Sequence, residues 1–483
     1  MEEPPQIIRR RLLSWVLAGL VLVPAHHLCN QILLGFDVTV LDEGHGLDDV
    51  GIQGFWYPNR NVFSLVDQLG LKPFTTWTRS AQYLGEDLHV EFPVFQELPQ
   101  VPTPLGTLYY SQFSRLSLAD KISLLPLMAA GKSLLHYVVI DYDNTDAAWR
   151  KYDSVTAREL FKQFGCSESL YRNILRQLLQ VGLFAPPEQC NTAAMLALFY
   201  YLILSHQKDF DMVWSRGTVR EMIFNPWTDS LEERGCKFLR DKSVTDFILS
   251  DDDSGYVTQV ICGRDKISTI QEIIKKRSNV FKVLPSSVFI CLLCSLCKRE
   301  EFLRVLNLRA VDVVYVKLKL DRKVTIPHAS NACSVLEDSY RWTFFDLNSI
   351  YDAYKEEEQT VVRTDFYNMN ELIGTTDEMI VDKAIKNMSK CVKDLKKAVV
   401  MEADVQRFPQ SLSYLFPGSY KHMIRGSTSV PNMFWERKLV DYVGERSFVR
   451  IIPIQEEEPH VEALRTLNRT INHLRSQIPF STY

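Results

Sequence analysis

The stretch that most constrains the fold runs from Arg9 to Gly46, RRRLLSWVLAGLVLVPAHHLCNQILLGFDVTVLDEGHG. Its second half is plain: Phe36 to Leu41 is a short strand rich in β-branched residues, and Asp42-Glu43-Gly44 stand at its end. An apolar segment, a helix-like turn and a strand ending in an acid is the order of a dinucleotide-binding βαβ unit. In such a unit the acid holds a ribose hydroxyl about 20 residues after a glycine turn, and Gly19 and Asp42 roughly meet that spacing. The glycines fit less well. The fingerprint G-x-G-x-x-G needs three, and Gly19 is a weak signal by itself. Pro24 falls where the helix should be under way, and a proline in a helix interior removes a donor and clashes with the preceding turn.

Arg9-Arg10-Arg11 before the apolar Leu12 to Val23 also imitates a secretory signal or a membrane anchor. That apolar run is about a dozen residues, short of the roughly 20 that a spanning helix needs. The expectation is therefore a buried first strand of a sheet, in a protein that is soluble or in peripheral membrane contact. No long Ser- and Arg-rich stretch opens the chain, so plastid import gets no direct support.

A length of 483 residues suggests two or three domains, and 46% apolar residues can fill a large core. A net charge of −4 supplies no basic field, which argues against nucleic acid as a partner. Ten cysteines in so long a chain do not make a disulfide framework; they read as reduced thiols of an intracellular compartment. Cys291, Cys294 and Cys297 have the spacing of thiolate metal ligands, but no second cysteine or histidine cluster completes a site, so the segment reads as buried and metal-free.

Asn61 to Leu69 reads as an amphipathic helix stopped by Gly70. Thr75 to Phe92 alternates around Gly85-Glu86-Asp87 as a hairpin. From Ser117 to Gln207 the pattern is helical, in pieces at Leu118–Ala130, Ala157–Phe164, Ser169–Val181 and Thr192–His206. Gly217 opens a helix that ends at Arg234-Gly235, and β segments follow through Cys262. Asp312–Pro327, Arg341–Leu347 and Val361–Tyr367 read as strands, and Asp377–Lys397 as a long amphipathic helix. His26, His27 and His206 read as packing or surface histidines. No Ser-His-Asp order, HExxH pair or P-loop is visible, so the catalytic residues stay unknown.

AHHLCNQ…GFDVTVLDEG, followed by IQGFWYPNRNVFSLVDQLGL, resembles the first FAD-binding unit of the flavin amine oxidase and phytoene-desaturase-like superfamily, especially a plant branch of FAD/NAD(P)-binding oxidoreductases with an amine-oxidase domain. The resemblance continues, with gaps, nearly to the C-terminus. It implies an α/β fold: a discontinuous Rossmann-like FAD-binding domain with a helical and mixed-sheet substrate domain. It assigns three stretches to the FAD-binding domain: 9–92, 216–278, and a remnant with a tail at 427–483. It assigns two to the substrate domain, the helical 93–215 and the later 298–426, and leaves 279–297 as an insertion. It also implies FAD as cofactor, held by Gly19, Asp42 and Val244, the last against the adenosine. Most of the chemistry would then rest on the cofactor, so missing acid–base motifs do not count against it.

The chain departs from the superfamily pattern in three places. The phosphate-cradling glycines are absent around Gly19. The apolar strand that should follow Cys262 to Lys266 looks cut out, and Ser278 to Cys297 looks foreign. After Val430 to Phe434 the family's Gly-Asp turn is absent, with Trp435-Glu436-Arg437-Lys438 in its place. The expected function is FAD-dependent oxidation or desaturation of an apolar or amine-bearing small molecule, with FAD bound weakly or not at all. The alternatives are a non-catalytic relic or mis-spliced variant of that fold, and a membrane-anchored protein.

Overall fold

The computed structural model describes residues 10–15, 22–30, 36–41, 52–85, 88–101, 105–110, 116–124, 126–127, 152–199, 206–242, 244–251, 255–268, 281–283, 295–333, 341–423, 428–430 and 433–435. Gly19, Asp42, Cys291 and Cys294 lie outside these residues. Two sheets organise the α/β fold. The first has five strands in the order Met433–Trp435, Phe281–Val283, Arg10–Trp15, Phe36–Leu41, Lys237–Leu239, and every neighbouring pair is parallel. Parallel strands need covering on both faces. Here Val38 and Val40 enter one buried cluster with Leu22, Ala25, Leu65, Trp227 and Leu231, while Leu41 enters another with Val244, Phe247 and Leu296.

Two expectations about this sheet are corrected. The expected first strand, Leu12 to Val23, is divided: the strand ends at Trp15, and a helix begins at Leu22 and runs to Asn30. Pro24 is thus the third residue of that helix, in the first turn, where backbone N–H groups have no intrahelical acceptor and a proline is tolerated. The supposed insertion, 279–297, contains Phe281–Val283, which pairs between Arg10–Trp15 and Met433–Trp435. The strand that seemed cut out is therefore present, displaced along the chain. Arg10–Trp15 is bonded in the sheet on both sides, and among the described residues no helix is long and apolar enough to cross a membrane.

The second sheet has seven strands in the order Val400–Tyr414, Arg309–Leu320, Val361–Tyr367, Arg341–Asp346, Ser330–Cys333, Ser80–Gly85, Leu88–Phe92. It is antiparallel except where Ser330–Cys333 meets Ser80–Gly85, so it is mixed as expected. The hairpin of residues 80–92 forms, but it pairs with this sheet and not with the parallel one. The helix Asp377–Cys391 covers one face. Ile380, Ala384 and Met388 recur every four residues, are fully buried, and pack on Val314, Val316, Val362 and Phe366. Asp377 and Glu378 in its first turn and Lys390 in its last match the helix dipole.

The strand Val400–Tyr414 was not expected from the sequence. Gln410 adopts a left-handed backbone (φ 49), and the register with Arg309–Leu320 shifts between Val311 and Val313. The Asp312 carboxylate fixes this bulge by accepting from the Gln410 backbone N–H at 2.7 Å.

The helical block has its own core, built on Phe161, Leu170, Leu175, Leu179 and the wholly buried Thr192–Phe199 helix. Thr156 and Glu159 cap the Ala157–Gln163 helix reciprocally. Between Lys237–Leu239 and the next parallel strand lies an antiparallel meander of Asp246–Leu249, Val257–Cys262 and Asp265–Ser268. Cys29, Cys166, Cys190, Cys236, Cys262, Cys333 and Cys391 form no disulfide.

Candidate functional site

Ligands of open parallel sheets bind outside the carboxyl ends of the strands. At that edge Leu41 is 1% exposed and shares a cluster with the fully buried Val244. The structure therefore brings the strand that leads into Asp42 beside the residue expected at the adenosine. Gly19 lies in the six-residue connection 16–21 between the first strand and its helix, outside the described residues. One role of the missing glycines is taken by another residue: Ala25, with no exposure, is the small side chain where the helix packs on Val38 and Val40. The helix is also held by Trp227, whose Nε1–H donates to Nδ1 of His26 at 3.2 Å, which makes His26 a packing histidine. His206 likewise packs, its Nδ1 lying 3.2 Å from Asp209. Among the described residues, Leu41 and Val244 are the ones brought together at this edge.

A second feature lies on the large sheet, on the face away from Asp377–Cys391. Along Val361–Tyr367, Val362 and Phe366 point to the covering helix, so Arg363, Asp365 and Tyr367 share the other face. Arg363 Nε–H donates to Asp365 at 2.9 Å, and both side chains are under a tenth exposed. The guanidinium lies over the Tyr315 ring, 4.1 Å from its centroid, and its Nη2 has no hydrogen-bond partner. Burial pushes the Asp365 carboxyl up against the pull of Arg363, and burial also raises the phenols of Tyr315 and Tyr367. Opposite stands Phe184, its ring centroid 5.3 Å from that of Tyr367. Phe184 has φ 57, a backbone region that bulky side chains rarely occupy, and such outliers cluster at functional sites. The same face continues through Phe345 to Trp214, 5.2 Å apart. Trp214 is seated by Gly54, where a Cβ would come within 2.9 Å of the indole.

Sequence reasoning missed this strip. The alternation of Val361–Tyr367 was visible, and an Arg and an Asp two residues apart in it were the available signal. Cys297 falls in the 3₁₀ turn Leu296–Lys298.

The profile of a family described as flavin-containing amine oxidoreductase matches residues 47–435. A 15-cis-phytoene desaturase from Synechococcus elongatus is 20% identical over 407 residues, 81% of each chain. Among solved structures, an oxidoreductase from Methanosarcina mazei superposes with a TM-score of 0.60 at 9% identity, covering 88% of this chain and 94% of its own. Cyclohexylamine oxidase from Brevibacterium oxydans does so with a TM-score of 0.59 at 11% identity, covering 97% and 99%. At such identities the structures establish the fold, while the profile covers most of the sequence: this chain belongs to the flavin-containing amine oxidoreductase family.

Proposed function

We propose that the chain is an FAD-dependent oxidoreductase of the amine oxidase or desaturase type, acting on an apolar or amine-bearing small molecule. The observation that carries this is the complete five-stranded parallel sheet, with its first helix crossing from Arg10–Trp15 to Phe36–Leu41 and Val244 packed at the carboxyl edge. The relatives' names, a phytoene desaturase and a cyclohexylamine oxidase, bracket the substrate class. Bound FAD would supply the acceptor for a hydride. Asp42 would hold the ribose, Val244 the adenosine and Gly19 what remains of the phosphate turn. On the substrate side, Asp365 offers a carboxylate to an ammonium, Arg363 Nη2 offers an unused donor, and Phe184 and Tyr367 offer apolar faces.

FAD is bound weakly on this reading. Loss of the glycine turn and loss of the Gly-Asp turn each remove a set of charged hydrogen bonds worth roughly 1.5–3 kcal/mol. Together they weaken binding about a hundredfold or more, at about 1.4 kcal/mol per tenfold. Purified protein should show little absorption between the near-ultraviolet and blue, take up FAD on titration, and lose about tenfold in affinity in Asp42→Ala. No uptake at any concentration would leave the non-catalytic relic as the better account. A stoichiometric yellow protein would instead show that residues 16–21 build a phosphate loop without the glycines.

A further inference from the structure

We propose that His89, Glu91 and His328 form a binding site for a divalent transition-metal ion of the zinc class. The three come together from the edge strand Leu88–Phe92 and from the segment before Ser330–Cys333, two strands further into the large sheet. Along the edge strand Val90 and Phe92 enter the core of the helical block, so His89 and Glu91 share the opposite face. Before Ser330, Val324, Ile326 and His328 are buried in alternation, which points the imidazole inward at the rim of the sheet core. The Asn331 side-chain amide donates to the His328 carbonyl at 2.9 Å and pins that backbone.

The two imidazoles converge on one oxygen. Glu91 Oε1 lies 3.3 Å from His89 Nε2 and 3.4 Å from His328 Nε2. One donor atom from each of the three residues lies within 4.8 Å of the others, the one such group among the described residues. Ligands at about 2.0–2.1 Å from a tetrahedral zinc sit about 3.3–3.4 Å from one another, which is the spacing of Glu91 to each histidine, and the two imidazole nitrogens lie within 4.8 Å of each other. The second, independent observation is His328 itself. Its side chain is 7% exposed, and the contact of its Nε2 with Glu91 Oε1, at 3.4 Å, is an ion-pair contact without hydrogen-bond geometry. Buried side-chain nitrogens are normally satisfied, and an ion between the three residues would satisfy this one. Two imidazoles and one carboxylate suit zinc and its first-row neighbours, whereas calcium and magnesium prefer oxygen donors throughout. His89 is about a third exposed and Glu91 about half, so solvent can reach the site and complete the coordination with water. Such an ion would fasten the sheet's last strand to the 321–329 segment, across Ser80–Gly85.

The test uses the full chain, stripped with chelator and titrated with Co²⁺ as a visible probe, then with Zn²⁺ in competition. One equivalent of Co²⁺ should give tetrahedral visible bands that Zn²⁺ abolishes. His89→Ala and Glu91→Gln, both at exposed positions, should keep the metal-free far-ultraviolet dichroism and thermal midpoint. Each should weaken Co²⁺ binding at least about tenfold, and Zn²⁺ should raise the thermal midpoint of the parent only. Absence of visible bands at millimolar Co²⁺ would overturn the proposal. So would unchanged affinity in the H89A/E91Q double variant, or thiolate-to-cobalt bands that survive in it, since the ion would then sit on cysteines.

Discussion

The parallel sheet and the large mixed sheet are built on different economies of chain. Strands of the parallel sheet are three to six residues long, and adjacent ones come from segments as distant as Arg10–Trp15, Phe281–Val283 and Met433–Trp435. The mixed sheet carries strands of 12 and 15 residues, and its centre is sealed by Trp342, Phe344 and Phe366 under one amphipathic helix. Non-local pairing must overcome loop-closure entropy before it is rewarded. We expect the mixed sheet, with its longer strands and larger buried core, to be the more rigid body, and the parallel sheet to depend more on the rest of the chain for its order.

The largest test of this contrast is Phe366→Ala. Phe366 is fully buried in the mixed-sheet core, and its truncation should cost about 3–5 kcal/mol in denaturant unfolding. Amides of Val361–Tyr367 should exchange only through global unfolding, and those of Phe281–Val283 much earlier. Equal protection of both strands would break the comparison.

Arg363→Met comes next. Removing one partner of a buried ion pair leaves the other charge uncompensated, a loss of roughly 3 kcal/mol. The double variant R363M/D365L should recover most of that stability in the same assay.

A third test uses pH. Asp211, whose carboxylate accepts from the backbone N–H groups of Phe95 at 2.6 Å and Gln96 at 2.9 Å, is pushed up by burial to about 6. Its folded value lies above the ordinary carboxylate value of 3.8, so the protonated form is favoured on folding. The stability from this group is complete below about pH 3.8 and is lost as pH rises through about 6. Unfolding midpoints measured from pH 4 to 6 should contain this falling component, and Asp211→Asn should remove it.

The smallest effect is expected at the parallel sheet's own support. Trp227→Phe deletes the hydrogen bond to His26 and keeps most of the packing, for a loss of about 1 kcal/mol by denaturant unfolding. A loss as large as that of Phe366→Ala would mean that the parallel sheet, too, is a rigid body.

Much of this was legible in the sequence where one periodicity governs. Asn61 to Leu69 became the helix Arg60–Gln68, with Leu65 and Val66 buried and Gly70 in the left-handed region after it. The Phe36–Leu41 strand has its expected bounds. Legibility failed where tertiary context outranks local pattern. Pro24 looked like a helix breaker because the helix start could not be seen, and in a first turn it removes nothing. Phe281–Val283 looked foreign because a three-residue parallel strand has no alternation to display. Val400–Tyr414 was hidden because Glu402, Asp404 and Arg407 break up its apolar pattern at a sheet edge. The Arg363–Asp365 strip and the His89–Glu91–His328 cluster depend on which strands become neighbours, which spacing along the chain does not encode.

The long Val400–Tyr414 strand has one more consequence, for how molecules of this protein behave toward each other in concentrated solution. Among the described residues it is the first strand in the order of its sheet, so its outer side is an invitation to pair with another chain. Glu402, Asp404 and Arg407 place charge along it, Pro409 offers no donor, and the left-handed Gln410 twists the ribbon off a flat template. These features discourage strand-to-strand aggregation. The least protected stretch is its beginning, where Val399 and Met401 are about 60% exposed, and it is there that self-association of the folded protein would start.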